Sequence, residues 1–148
     1  MKSMVPVAVI CLIFVALGWA QAPSPGPNRQ DKFTARLSPV PIDATQRGIV
    51  TGKGSASAVL VGSKLTIDGT FEGLAGPATV ARLHVGLATG VRGAAIQDLT
   101  VSKAAGGTIR GSFDLTPQQV ESLKKNKLYI QIHSEKVPEG NLWGWLLP

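Results

Sequence analysis

Cysteine and aromatic residues are scarce in this chain of 148 residues. It has a single cysteine, Cys11, and aromatic side chains make up 5% of the sequence. One cysteine cannot form an intramolecular disulfide, and it excludes iron–sulfur clusters and zinc sites with several thiolate ligands. Because a domain of this size buries enough apolar surface without a covalent link, the missing disulfides are compatible with a stable fold.

Acidic residues are also few. Nine of them stand against 15 lysines and arginines, which leaves a formal net charge of +6. The basic residues form neither an arginine-rich run nor a pattern interleaved with aromatics, so we exclude a nucleic-acid-binding groove. A mildly basic surface attracts anionic lipid, polysaccharide or acidic protein in a diffuse way. Solubility is the simpler interpretation of this charge, and we favour it.

The sequence patterns that mark enzymes are missing. The chain has no Gly-x-Ser-x-Gly motif, and its carboxylates are isolated from one another, so neither a serine nucleophile nor a pair of catalytic acids is indicated. The glycine-rich stretches at 52–55 and 86–93 do not lead from a strand into a helix, which argues against phosphate binding. We therefore predict that the protein is not an enzyme.

The longest apolar run lies at the N-terminus. Lys2 precedes the apolar residues 5–17, and Ala20-Gln-Ala22 then gives the small-x-small pattern that signal peptidase cleaves. We predict a signal peptide at residues 1–22, cleaved after Ala22 or Ala20, and a secreted or periplasmic protein with no stable membrane insertion after cleavage. An uncleaved anchor is the alternative, but the run is short for a bilayer span and contains a proline.

The rest of the chain reads as a proline-rich flexible linker, residues 23–31, followed by one domain, residues 32–148. Short stretches in which apolar and polar residues alternate, separated by glycine and proline turns, are typical of β-strands. They predict an all-β fold, an antiparallel immunoglobulin-like β-sandwich or barrel of about 7–9 strands. Residues 86–93 are predicted to form a glycine-rich loop. The predicted strands are 33–37, 53–61, 64–71, 79–85, 96–101, 108–115, 128–133 and 141–147.

One short helix is predicted at residues 116–126. Thr116 is a good N-cap residue, Pro117 suits the first helical position, and Gln119 completes a capping box. Val120 and Leu123 would face the sheet. The helix has barely two turns, so packing must stabilise it, and we assign it a structural role.

The last twenty-two residues, 127–148, read as a β-hairpin that carries two of the three tryptophans. Exposed rings of Trp143 and Trp145, with Tyr129 nearby, would form a stacking platform for a sugar or for the apolar patch of a partner. The alternative, which we favour, is that the tryptophans pack against one end of the core. The candidate partner-binding residues are Tyr129, Trp143, Trp145 and Arg82.

The two histidines, His84 and His133, each lie on the polar face of a predicted strand. If the two strands end at the same rim, their imidazoles could bind copper or zinc. A metal would need a third ligand, for which Glu135 and Asp98 are candidates, and Arg82 on the face of His84 would repel a cation. A structural role in fixing loops is the alternative that we favour, because two ligands make a weak set.

Several short motifs follow one another along the predicted domain. They are Phe33-Thr-Ala-Arg-Leu37, Gly54-Ser-Ala-Ser-Ala58, Phe71-Glu-Gly-Leu74, Ala81-Arg-Leu-His84-Val-Gly86, Leu128-Tyr-Ile-Gln-Ile-His133-Ser134 and Pro138-Glu-Gly140. Together they resemble the chordin-type (CHRD) domain. Two segments depart from the family pattern: Arg82 replaces the first histidine of Ala-His-Ile-His, and Asn141-Leu-Trp-Gly-Trp145 replaces Glu-Ile-Arg-Gly-Gln. The resemblance implies a secreted immunoglobulin-like β-sandwich, common in bacterial exported proteins and in the animal chordins, which bind growth factors.

These observations lead to one functional hypothesis and one alternative. The hypothesis is an exported non-enzymatic binding or structural module of the CHRD type, without a cofactor, whose partner is an unidentified protein or glycan at the cell envelope. The alternative is a periplasmic protein that binds copper or zinc through His84 and His133. Bound metal distinguishes the two.

Export itself is the first testable prediction. Protein recovered from the envelope or the medium of the producing cell should begin at Pro23 or Gln21 when its N-terminus is mapped by mass spectrometry. Replacing the small residues, Ala20→Leu together with Ala22→Leu, should leave the segment attached because signal peptidase requires small side chains there. An intact N-terminus on the wild-type protein in the membrane fraction would favour the anchor instead.

Overall fold

The computed structural model describes residues 29–41 and 44–148, so the predicted signal peptide and most of the predicted linker lie outside the described residues. The described part contains one α-helix, α1 (Pro117–Lys124), and a 3₁₀ turn (Ala44–Gln46). No helix in it has both the length and the apolar character needed to cross a bilayer. The strands are β1 (Gln30–Pro39), β2 (Lys53–Val61), β3 (Lys64–Glu72), β4 (Ala78–Ala88), β5 (Val91–Val101), β6 (Gly107–Asp114), β7 (Leu128–Ser134) and β8 (Leu142–Trp145).

The eight strands form a closed barrel in the order β1-β2-β3-β6-β5-β4-β7-β8. Each neighbouring pair is antiparallel, and β8 closes the circle by pairing with both β7 and β1. Closure satisfies backbone groups that would otherwise be exposed along sheet edges. The all-β antiparallel prediction with one short helix is confirmed. The barrel is the form adopted, and the immunoglobulin-like sandwich is not confirmed.

Alternation along the strands places the apolar residues inside the barrel. Leu128, Ile130 and Ile132 of β7 are completely buried, as are Leu65 and Ile67 of β3. The predicted two-residue hairpin at 62–63 joins β2 to β3. The period-two pattern and the turn chemistry of the sequence therefore identify these elements correctly.

The helix forms as its capping residues predict. Thr116 accepts a hydrogen bond from the backbone N–H of Gln119, and the Gln119 side chain accepts one from the N–H of Thr116. Leu123 is completely buried in the core, and Val120 packs against it. Asn126 then adopts a φ of +59°, the left-handed conformation that commonly ends a helix.

The predicted loop at 86–93 is wrong, since β4 continues to Ala88 and β5 begins at Val91, with a tight turn at Gly90 between them. Two of its glycines, Gly86 and Gly93, lie where the two backbones approach closely. An added Cβ at Gly86 would lie 2.5 Å from Cη2 of Trp145. Gly86 and Gly93 contribute no side chains to an alternating pattern, because the facing backbone of the same hairpin and the ring of Trp145 occupy that space.

The first strand also extends beyond its predicted bounds. β1 begins at Gln30 rather than at residue 33, and it includes Pro39 as its last residue. Proline is tolerated at a strand end because it costs only one backbone donor there.

Gly144 allows β8 to lie close to β1. An added Cβ at this position would be 2.6 Å from the carbonyl oxygen of Arg36 and 2.8 Å from the side chain of Leu37. We expect Gly144→Ala to lower the free energy of unfolding by about 1–3 kcal/mol because the two strands must move apart. Urea unfolding measures this loss. Gly48→Ala is the matched control, since nothing lies within 4 Å of its Cβ, and equal stability of the two variants would contradict the prediction.

Candidate functional site

Strands β4, β7 and β8 turn a connected set of side chains away from the barrel interior. Residues two apart share a face in each strand, so the register sets three rows across the sheet. The rows are Val80–His133, Arg82–Gln131–Trp143 and His84–Tyr129–Trp145. We call His84, Tyr129, Trp143 and Trp145 the aromatic face.

Tyr129 is the centre of the aromatic face. Its ring stacks on His84 with centroids 4.8 Å apart at 20°, and it lies 4.5 Å from the ring of Trp145. Trp143 approaches Tyr129 edge-on at 6.0 Å. Tyr129 is 1% exposed, whereas both tryptophans are half-buried. The rings therefore form one rigid layer on the outside of the barrel.

Gly93 of β5 holds two of these rings in place. Its carbonyl oxygen lies 3.1 Å from Nδ1 of His84 and 3.3 Å from the hydroxyl of Tyr129. The N–H of Gly93 in turn donates to the same hydroxyl at 3.2 Å. Since a carbonyl oxygen only accepts, the hydrogen of neutral His84 is on Nδ1 and its Nε2 carries a lone pair.

Trp143 contacts a basic side chain and an apolar cluster. The guanidinium of Arg92 lies 5.6 Å from the ring centroid, within the range of a cation–π interaction. A small second apolar cluster packs against the same residue. Its members are Val40, Val50 and Val137. Both tryptophans lie on the outer face of β8 and do not enter the barrel interior. Trp143 packs against the small outer cluster instead of the main core.

His133 and Gln131 attach the β7–β8 turn to the sheet. Nδ1 of His133 lies 2.8 Å from the carbonyl oxygen of Pro138, and Nε2 of Gln131 donates to the carbonyl oxygen of Glu139 at 3.0 Å. Gly140 has a φ of +125°, as the predicted turn requires. His133 thus holds the β7–β8 turn against the sheet, and its Nε2 has no hydrogen-bond partner among the described residues.

Nε2 of His84 and Nε2 of His133 are both buried, and neither has a hydrogen-bond partner among the described residues. Burial lowers the pKa of His84 below its ordinary value of 6.5, and the hydrogen bond to Gly93 opposes that shift. Electrostatic repulsion from protonated His133, from Arg82 and from Arg92 also lowers the pKa of His84. The surroundings of His84 therefore favour its neutral form over its charged form.

The predicted third metal ligands do not join the histidines. Within residues 29–41 and 44–148 no three His, Cys, Asp or Glu side chains form a group that could hold a metal ion. Asp98 instead accepts a hydrogen bond from Nε of Arg82 at 2.9 Å. Neither Glu135 nor Asp98 therefore joins the two histidines in a group of three ligands among the described residues. Arg82 does share the face of His84, as predicted.

Three contributors to the site were missed in the sequence, namely Gly86, Arg92 and Gly93. All three lie in the stretch that was interpreted as a loop, so their facing partners on β4 and β8 were unknown. The only available signal was the concentration of glycine beside a histidine-bearing strand, which is also typical of an ordinary turn.

The lowered pKa of His84 predicts an acid-sensitive fold. Neutral His84 contributes fully to the free energy of unfolding above about pH 6.5. This contribution is lost as the pH falls through the lower pKa that His84 has in the folded protein, because protons then bind more strongly to the unfolded chain. Urea unfolding of chelator-treated protein between about pH 7.5 and pH 5 should show this loss. His84→Phe keeps a ring on Tyr129 and cannot be protonated, so the free energy of unfolding of this variant should change less with pH. An identical pH dependence in both proteins would contradict the assignment.

Comparison with known proteins places this arrangement in a family. The family model described as CHRD domain matches residues 33–146, a range that includes every residue of the aromatic face. No curated protein matches the chain, and no solved structure does. Because the family match extends over nearly all of the sequence, the chain belongs to the CHRD domain family.

Proposed function

We propose that the protein is an exported, non-enzymatic binding module that binds an acidic protein partner on its aromatic face. Membership of the CHRD domain family supports a binding or structural module in general terms. The signal-peptide pattern of residues 1–22 supports export. The apolar rings and the basic residues of the surface support an acidic protein as the partner.

The position of the tryptophans is the observation that carries this proposal. The barrel interior is filled by aliphatic residues and phenylalanine, and neither Trp143 nor Trp145 is needed to complete it. Tryptophan and arginine are the residues most often found at the energetic centres of protein interfaces. A rigid layer of rings also loses little conformational freedom when a partner binds, which favours affinity.

The β4–β5 hairpin extends the apolar surface beyond the rings. Val91 is 45% exposed, and it lies on the same face of β5 as Gly93, whose backbone contacts His84 and Tyr129. Leu87 is 76% exposed, but it alternates with Gly86 and faces the other side of the hairpin. An exposed valine beside a layer of aromatic rings enlarges one apolar patch, and contiguous apolar patches mark interaction sites. Because sugars stack on rings but gain little from branched aliphatic groups, this composition favours a protein over a glycan.

Charge selects among protein partners. Arg82 and Arg92 border the aromatic face, and the whole chain carries a formal charge of +6. Basic groups at the rim of an interface increase the association rate with an acidic partner and repel a basic one. The surface is therefore suited to an acidic segment with apolar side chains.

Photo-crosslinking in the producing cells tests this proposal. A photoreactive phenylalanine derivative at position 91 should form a discrete protein adduct, and the same derivative at Thr66 on β3, outside the aromatic face, should not. Arg92→Glu should reduce the adduct at position 91 by about tenfold because it reverses a rim charge. Lys64→Glu, also on β3, makes the same charge change and is the matched control, which should leave the adduct unchanged.

Two results would contradict the proposal. One is an adduct that forms equally from position 66 or survives Arg92→Glu. The other is the absence of a protein adduct together with binding of envelope polysaccharide that depends on Trp143, which would assign the surface to a glycan.

A further inference from the structure

One end of the barrel concentrates basic side chains. Strands β1, β3, β5 and β7 begin there, and β2, β4, β6 and β8 end there, because every neighbouring pair is antiparallel. In the part of the chain that the structure describes, the strand ends, turns and helix at this end carry seven basic side chains and three acidic ones. The opposite end carries four basic and three acidic ones among the described residues. The basic residues of the first end, which we call the basic end, are Arg29, Lys32, Lys64, Arg92, Lys124, Lys125 and Lys127.

The same end carries most of the exposed large aliphatic side chains of the described residues. Leu87 is 76% exposed, Val91 is 45% exposed and Leu147 is 41% exposed. Leu87 and Val91 flank the β4–β5 turn, and Leu147 pairs with Thr34 of β1. Ile49 lies instead in the connection between β1 and β2, at the opposite end. Exposed apolar side chains among basic ones are the combination that binds to lipid surfaces.

Hydrogen bonds hold the parts of the basic end together. The hydroxyl of Thr89 in the β4–β5 turn donates to the carbonyl oxygen of Asn126 at 2.8 Å. The N–H of Gly86 donates to the carbonyl oxygen of Lys127 at 2.7 Å. Between the start of β1 and the end of α1, a cleft of about 480 Å³ is lined by three of the basic residues. The basic and aliphatic side chains therefore belong to one connected surface.

Lysine makes up most of this charge, which indicates the kind of partner. Five of the seven basic residues are lysines, and lysine is depleted at the centres of protein interfaces. Lys32, Lys64 and Lys127 form no ion pair with any residue that the structure describes, so their charges are free to act on a ligand. Clusters of about four to eight basic residues beside exposed apolar groups are typical of surfaces that bind anionic lipid.

The path of the chain also brings this end towards a membrane. β1 begins at Gln30, so the segment that follows the predicted signal peptide enters the barrel at the basic end. Residues 23–29 span at most about 25 Å when fully extended. If residues 1–22 enter the bilayer during export, as their sequence predicts, the basic end stays within that distance of the bilayer surface.

We propose that the basic end binds reversibly to the surface of a bilayer that contains anionic lipid. Its lysines contact the headgroup phosphates, and Leu87 and Leu147 enter the boundary between headgroups and acyl chains. This inference goes beyond the partner proposed for the aromatic face, which lies on the side of the barrel formed by β4, β7 and β8. A barrel that stands on its basic end leaves that side open to a protein.

Flotation of the protein with vesicles tests the proposal. The eight strands and the helix lie between Gln30 and Trp145, so a chain that begins at Pro23 contains the whole barrel and lacks the apolar residues 5–17, which would bind lipid themselves. Vesicles of phosphatidylcholine with about one third phosphatidylglycerol should bind this protein about tenfold more tightly than pure phosphatidylcholine does. High salt should weaken the binding because it screens exposed charges. No binding, or equal binding to both kinds of vesicle, would overturn the proposal.

Paired lysine variants locate the contact. Lys124→Gln together with Lys127→Gln should weaken binding to the mixed vesicles about 30-fold, since each lysine near such a surface contributes about fivefold. Arg47→Gln together with Lys136→Gln removes the same charge from the opposite end and is the matched control, which should bind as the wild type does. An equal loss in both pairs would indicate diffuse attraction by the whole protein and would overturn the assignment to the basic end.

Leu87 and Ile49 provide a second matched pair. Leu87→Ser should weaken vesicle binding about tenfold because it removes apolar surface from the lipid, whereas Ile49→Ser should not. The chain from Pro23 has no cysteine, so an environment-sensitive fluorophore on Leu87→Cys or Ile49→Cys replaces this test if a serine variant fails to fold. The emission should shift to the blue with mixed vesicles at position 87 only. A shift at position 87 that depends on protein concentration without vesicles would assign the basic end to a second copy of the chain and overturn the proposal.

Trp143→Ala separates this surface from the aromatic face. The variant leaves the basic end unchanged, so it should bind the mixed vesicles as the wild type does. Loss of vesicle binding in this variant, with no loss in the lysine pair, would place the lipid on the aromatic face and contradict the inference.

Discussion

Closure of the barrel by β8 is the constraint on which the rest of the structure depends. This strand has four residues, yet it pairs with β7 on one side and with β1 on the other. Without it both neighbours would present unpaired backbone groups along an edge. The double pairing is feasible because Gly144 has no side chain where β8 approaches the Arg36 carbonyl of β1. Barrel stability therefore depends on a very short and closely packed segment.

The same strand also decides which side chains face outward. Leu142 is completely buried, while Trp143 and Trp145 lie on the other side because successive residues in a strand alternate. Tyr129 on β7 receives both tryptophans on one flank and His84 on the other. The buried ring of His84 and the half-buried tryptophans of the candidate binding surface consequently belong to one layer.

Much of the fold followed from local sequence because local forces build it. Alternating apolar residues identified most strands, and the turn at 62–63 identified the first hairpin. Thr116 and Gln119 identified the start of the helix, since a cap is made by residues three apart. The exception was residues 86–93, where the strand has no alternating pattern. The Val91 carbonyl and Trp145 of β8 require glycine at 86, the Val85 carbonyl requires it at 93, and the positive φ of the turn favours it at 90. Glycine-rich sequence is also typical of an ordinary loop, so no local rule distinguishes the two.

By itself the sequence determined the strand content, the capped helix, the C-terminal turn and the opposite faces of β8, because each depends on backbone preference or period. Only the tertiary structure decided that the strands close into a barrel and that the tryptophans lie outside it. It also brought Arg92 onto Trp143 and left a buried nitrogen on each histidine. These features depend on register between strands, and register is set by packing across the whole barrel rather than by any one segment.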